Sequence, residues 1–187
     1  SQFRALPNFY VFRPADASEN VECWKQALEM NAPCAFVLSR QKLKTLKKDK
    51  VDFGTPQNGG YLIKRRDNAE FTILASGSEV MPSLQAACHL EVAGININVV
   101  SVPCFDIFVK QDKSYIDQVI DPSTKVLAVE AASGIEWFVF ADEVMGMDRF
   151  GASAPAGKLF DKFGFTIKGI KQRIFDLKGV EYQDTEA

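Results

Sequence analysis

Short apolar runs alternate along this chain with longer stretches whose apolar residues recur every three or four positions. The first run, "NFYVFR" (8–13), is aromatic and β-branched and predicts a strand. Pro14 ends it by holding Arg13 extended. Asp16 with Glu19 three positions later predicts a capping box. The helix behind it carries Val21, Trp24 and Leu28 on one stripe, with Ala27 beside them, as its core-facing side. Asn31-Ala32-Pro33 breaks that helix, and "CAFVL" (34–38) predicts a second, buried strand. Two strands joined by one helix form a βαβ unit with parallel neighbours. Such a unit cannot cover both faces of its own sheet, so the opening segment is expected to be the tail of a larger domain with one underprotected face.

The lysine-rich "KLKTLKKDK" (42–50) has Leu43 and Leu46 at helical spacing, which predicts a short helix with a solvated basic face. "FGTPQNGG" (53–60) collects turn residues and marks a domain boundary. Beyond it, "YLIK" and "FTILAS" read as strands separated by the polar "RRDNAE". Ser76-Gly77-Ser78 turns into a helix from Glu79 to about Ala93, stopped by Gly94. "INVVSV" and "KVLAVEA" are further strands, with "SYIDQVI" a short helix between them. "EWFVFADE" is expected to be helical and "VMGMDRF" a last strand, before helices around "GKLFDKF" and "IKGIKQRIFDL". The fold class is therefore α/β: a three-layer α/β/α domain with a five-stranded mixed sheet, preceded by a βαβ remnant of a second α/β domain. The hairpin-like first strand is the expected antiparallel edge. The expected division is 1–54 for the remnant, 55–68 for a linker and edge hairpin, and 69–187 for the complete domain.

Composition narrows the function. With 187 residues, 47% hydrophobic and 25% charged, the chain suits a soluble globular protein with a real core. Lys plus Arg number 22 against 24 Asp plus Glu, a formal net charge of -2, which gives no electrostatic case for nucleic acid or an anionic membrane. No apolar run is long enough to span a bilayer and no signal peptide opens the chain. Cys23, Cys34, Cys88 and Cys104 form no Cys-x-x-Cys pair and, with one histidine, supply no zinc spacing. They are expected to be small buried side chains in a reducing cytosol. The chain starts at Ser1 and enters a strand pattern almost at once, as expected of a piece cut from something longer.

Candidate chemistry is sparse. "PCAFVLSRQ" (33–41) runs an apolar strand into Arg40. Either the strand reaches solvent there, or Arg40 awaits an anion at the carboxyl edge of a sheet, where open α/β folds place ligands. "LASGSEV" joins a strand to a helix N-terminus but lacks the G-x-G-x-x-G and Walker patterns, and is read as a turn with a serine cap. His89 sits in mid-helix without a partner at a telling spacing. Glu130 ends the apolar strand "LAVE" and suits either a ligand or the backbone of a neighbouring loop. Ser153 reads as a helix cap, with Pro155 in the first turn. No set of nucleophile, base and oxyanion donors can be assembled, so the chain alone does not read as an enzyme.

Longer motifs add a resemblance. "NFYVFRPADASENVECWKQAL" followed by "PCAFVLSRQKL" resembles the end of the pyrimidine-binding domain of the transketolase family. "TILASGSEV", "VVSVPCFDIFVKQD", "LAVEAASGIEW" and "GMDRFGASAPAGKLFDKFGFT" resemble that family's C-terminal domain, in the family's order. Dihydroxyacetone synthases share much of this pattern and remain an alternative, as does a non-catalytic binding or scaffolding module with the same fold. Pyruvate dehydrogenase beta subunits and deoxyxylulose phosphate synthases fit less well, lacking "SRQ" and "FGASAPA" in this form.

The resemblance implies a cytoplasmic, homodimeric parent that uses thiamine diphosphate and a divalent metal, magnesium or calcium, to move a two-carbon ketol unit between sugar phosphates. It matches Arg40 to the arginine that binds the sugar's terminal phosphate, and it assigns no catalytic, cofactor-binding or metal residue to this chain. The family's Gly-Asp-Gly metal motif does not occur here. Its activating glutamate, the aromatic residues stacking on the cofactor ring and its catalytic histidines lie upstream of Ser1 in the family. The fragment by itself is accordingly expected to bind no cofactor and to be inactive.

Overall fold

The computed structural model describes residues 2–46 and 53–182 of the chain. Two sheets form. In the first, β1 (Tyr10–Phe12) and β2 (Cys34–Phe36) run parallel around α1 (Ala17–Glu29), with Tyr10 opposite Cys34 and Phe12 opposite Phe36. The second contains β3 (Tyr61–Lys64), β4 (Phe71–Ala75), β5 (Ile97–Ser101), β6 (Lys125–Val129) and β7 (Glu143–Met145), in the order β3-β5-β4-β6-β7. β3 is antiparallel to β5, and the other pairings are parallel.

The strand alternation anticipates both faces of this sheet. Ile73 and Ala75 of β4 pack with Ile97, Val99, Leu127 and Val129 against α2 (Val80–Val92), α5 (Ala156–Phe163) and α6 (Ile167–Lys178). Leu74, Val100, Val126 and Ala128 face α3 (Phe105–Phe108), α4 (Lys113–Val119) and Trp137 of the 3-10 turn Ile135–Val139. The mixed sheet between two helical layers is the expected architecture, with β3 as its antiparallel edge. Among the described residues the hairpin-like character comes from a bridge between Phe53 and Leu62 rather than from pairing with β4. That bridge encloses the 3-10 turn Pro56–Asn58 and Gly59, whose φ of 78° and approach to the Phe108 amide leave no room for a Cβ.

Several local expectations are corrected. Residues 42–46 of the lysine-rich stretch are not helical: the Leu46 N–H donates to Asp16 Oδ2 at 2.7 Å instead of to a helical carbonyl. Residues 47–50 of that predicted helix lie outside the described residues. "EWFVFADE" makes only the 3-10 turn, and the last strand stops at Met145. Ser153 is exposed and caps nothing, because α5 starts three residues later behind Pro155. The α1 stripe is turned outward: Val21, Trp24 and Leu28 are exposed, while Cys23 packs with Phe12 and Cys104. β2 is half-buried, with Val37 and Leu38 beyond it exposed. Cys23 and Cys104 are buried as expected, but Cys34 is half-buried and Cys88 exposed.

Candidate functional site

The parallel strands β4, β5 and β6 end side by side. Chain direction around the sheet reverses between β4 and β6, and such a switch point is where open α/β sheets form a ligand crevice. The residues immediately beyond those two strands are Ser76 and Glu130, and Ser76 Oγ donates to Glu130 Oε2 at 2.8 Å. Two members of the sequence shortlist thus meet at one point.

The crevice is filled by the chain's own arginines. Arg4 holds Glu130 through two parallel hydrogen bonds, 2.9 and 3.0 Å, and Glu136 through a third at 2.6 Å. Its guanidinium lies over the rings of Phe105 and Trp137, which are themselves in edge contact. Arg13 lies 3.0 Å from Glu79 and 2.8 Å from Glu130. Trp137 Nε1 also donates to Glu130, at 3.1 Å. Burial would raise the Glu130 carboxyl, but Arg13 and Arg4 outweigh it and hold it below the ordinary value. At Glu79 burial prevails and the carboxyl is raised, although Arg13, Ser78 and the Ala131 amide oppose it. Glu130 is therefore an ion-pair hub, not a contact to loop backbone. Ser76 serves it rather than capping a helix, and the 3-10 turn Gly77–Glu79 that opens the next helix has no side-chain cap.

The turn after β1 is seated on this edge by its backbone. The Arg13 N–H donates to Pro103 O at 2.7 Å, and the Gly77 N–H donates to Arg13 O at 2.8 Å. Glu19, fully enclosed beside it, accepts from Tyr61 Oη at 2.8 Å, from Ser101 Oγ at 2.6 Å and from the Ala15 amide. Half of the expected capping box is realised: Asp16 accepts from the Glu19 amide at 2.8 Å, whereas Glu19 turns to Ala15. Burial raises the Glu19 carboxyl to about 6 against the pull of these donors.

Arg40 stands apart from the crevice. It is exposed, four residues past the end of β2. The segment carrying it is fixed at both ends, by the Val37 N–H donating to Phe12 O at 2.9 Å and by the Leu46 N–H on Asp16. His89 is exposed on α2. Among the described residues, no group of three His, Cys, Asp or Glu side chains stands close enough to hold a metal ion. Sequence reasoning missed Arg4, Arg13 and Glu79. Arg13 carried the same signal as Arg40 and Glu130, a charge closing an apolar run; Arg4 carried none, because its partners lie 126 and 132 residues away.

A parallel sheet with one antiparallel edge, its crevice closed by Arg4 and Arg13 from the segment that precedes it, defines an α/β domain with a smaller βαβ unit docked on it. The chain belongs to the transketolase family: the transketolase-like C-terminal domain matches residues 59–166 and the transketolase pyrimidine-binding domain matches residues 1–45. The transketolase of Geobacillus stearothermophilus is 38% identical over 187 residues, covering 96% of this chain and 28% of that protein. The crystal structure of the Campylobacter jejuni transketolase superposes with a TM-score of 0.88 at 46% identity, covering 94% of this chain and 27% of that one. A Pichia stipitis transketolase in complex with sedoheptulose-7-phosphate superposes at 0.86 with 34% identity, over 96% and 27%. The chain thus spans little more than a quarter of the length of the relatives it matches.

Proposed function

We propose that this chain is the C-terminal portion of a thiamine-diphosphate-dependent transketolase, a cytoplasmic homodimer that transfers a two-carbon ketol unit between sugar phosphates. In this reading residues 1–54 close the pyrimidine-binding domain, 55–68 connect, and 69–187 are the C-terminal domain, with β3 lent by the connecting stretch to the second sheet. The observation that carries the reading is the order of the two matched domains, with an exposed Arg40 on the loop that leaves the first.

Arg40 is the chain's share of the substrate site. A guanidinium offers phosphate two parallel, charge-assisted hydrogen bonds, and gripping a remote phosphate orients the far end of the sugar for reaction. Among the described residues no group of carboxylate, histidine or cysteine side chains fits the cofactor's magnesium or calcium, so no step of the reaction is assigned to them through that group.

The test is Arg40→Ala in the whole protein. The Michaelis constant for phosphorylated sugars should rise by the equivalent of about 1.5–3 kcal/mol, with turnover at saturation nearly kept. An unchanged constant for a phosphorylated acceptor would rule the assignment out.

A further inference from the structure

Asp16 uses both of its carboxylate oxygens, on two different elements. Oδ1 accepts from the Glu19 amide at 2.8 Å and caps α1. Oδ2 accepts from the Leu46 amide at 2.7 Å, at the far end of the loop that carries Arg40. Asp16 itself is buried, at 6% exposure, within the turn whose backbone and Arg13 side chain lock onto the carboxyl edge of the larger sheet. The Leu46 side chain packs against the core of the larger domain, so that end of the loop is held by backbone and side chain together.

We propose that Asp16 is a positioning residue for phosphate recognition: it ties the Arg40 loop to the rigid turn on the larger domain and so fixes where the guanidinium meets the substrate phosphate. This inference rests on the Arg40 reading above and extends it. The physical requirement is plain. The segment after β2 has no helix or strand up to residue 46, so nothing in its own secondary structure sets the place of Arg40. Two anchors do: the Val37 amide on Phe12 at the near end and the Leu46 amide on Asp16 at the far end. A hydrogen bond to a charged acceptor is among the stronger single restraints available. A loop released at one end would spread the guanidinium over more positions, and binding would fall in proportion to the competent fraction. Because the restraint acts on the loop that carries Arg40, the expected loss falls on phosphate recognition.

Asp16→Asn in the whole protein separates the two duties. An amide keeps one acceptor oxygen for the helix cap and presents its NH2 to the Leu46 N–H, where no hydrogen bond can form. Asp16→Ser, a good cap with one oxygen, is the second variant should the first fold poorly. Amide exchange at Leu46 should quicken about tenfold, while amides in the first turn of α1 stay protected. The Michaelis constant for phosphorylated sugars should rise about fivefold to tenfold, with that for an unphosphorylated acceptor changing less than about twofold. Unchanged Leu46 exchange overturns the proposal. So does an equal change for phosphorylated and unphosphorylated acceptors, since a general loss of structure would produce it. Arg40→Ala, run alongside, distinguishes the remaining outcomes. If it raises the constant and the Asp16 variants do not, the positioning role fails alone; if it has no effect, the reading of Arg40 fails with it.

Discussion

Glu19 lies where α1 meets β3 and β5, and its three hydrogen-bond donors, Ala15, Tyr61 and Ser101, are all neutral. Burial therefore decides its titration, raising the carboxyl from 4.5 to about 6. The same burial, with Glu19 close by, pushes the Tyr61 hydroxyl upward and keeps it a donor. The folded state thus holds a proton that the unfolded state has already released between these two values. The stability this group contributes is fully present below pH 4.5 and lost as pH rises through about 6, by about 2 kcal/mol at neutral pH. Glu19→Gln keeps an acceptor but cannot ionise. Urea midpoints at pH 4.5 and 7 should then differ less in the variant than in the parent sequence, by an amount equivalent to about 2 kcal/mol. Identical pH dependence in the two would show that Glu19 does not titrate across this window.

At the scale of elements, the strands and the longer helices of the larger domain were legible, because each β-strand there carries a face toward each helical layer and reads as a short apolar run. α1 was legible as a helix but not in its orientation. Val21, Trp24 and Leu28 are 52%, 45% and 78% exposed, although Trp24 stacks on Phe36 at 4.2 Å. A period of three to four establishes that a helix has an apolar stripe, not what covers it, and here Cys23, Ala27 and Met30 make the inward contacts. The 42–46 segment failed for a related reason: Leu43 and Leu46 have helical spacing, but the Leu46 amide is committed to a carboxylate thirty residues upstream. The ion pairs of the crevice join residues 66 and more apart, and no local pattern encodes such a pairing. The phosphate role of Arg40 rests on the family resemblance, because a charge past an apolar run suits solvent as well as an anion. If the remainder of the pyrimidine-binding domain covers the α1 stripe in the whole protein, Leu28→Ser should cost that protein about 2 kcal/mol or more as a lost core contact. The same change in the 187-residue chain should stay within about 0.5 kcal/mol. Denaturation of both backgrounds reads the difference, and equal costs would mean that the stripe stays in solvent.

For the molecule as a whole, the question is what a chain spanning little more than a quarter of the length of its transketolase relatives can do. Holding a diphosphate through magnesium or calcium takes several oxygen ligands converging on one point. The described residues bring no three suitable side chains together. The carboxylates of the crevice, Glu79, Glu130 and Glu136, already neutralise Arg4 and Arg13. Diverting them to a cation would strand two buried guanidinium groups, and breaking a buried ion pair in that way costs about 3–5 kcal/mol. The crevice that other open α/β sheets offer to a ligand is thus spent on joining the two parts of the chain. On the proposal above, what this portion would offer the whole is placement: the crevice holds the turn after β1, the turn carries Asp16, and Asp16 accepts from Leu46 on the segment bearing Arg40. Titration calorimetry of thiamine diphosphate with magnesium into the 187-residue chain should therefore give no saturable heat in the micromolar range, and the chain should transfer no ketol unit, whereas the whole protein proposed above should bind the cofactor and transfer the unit. A one-to-one isotherm with the chain alone would place the cofactor site within these residues and overturn this division of labour.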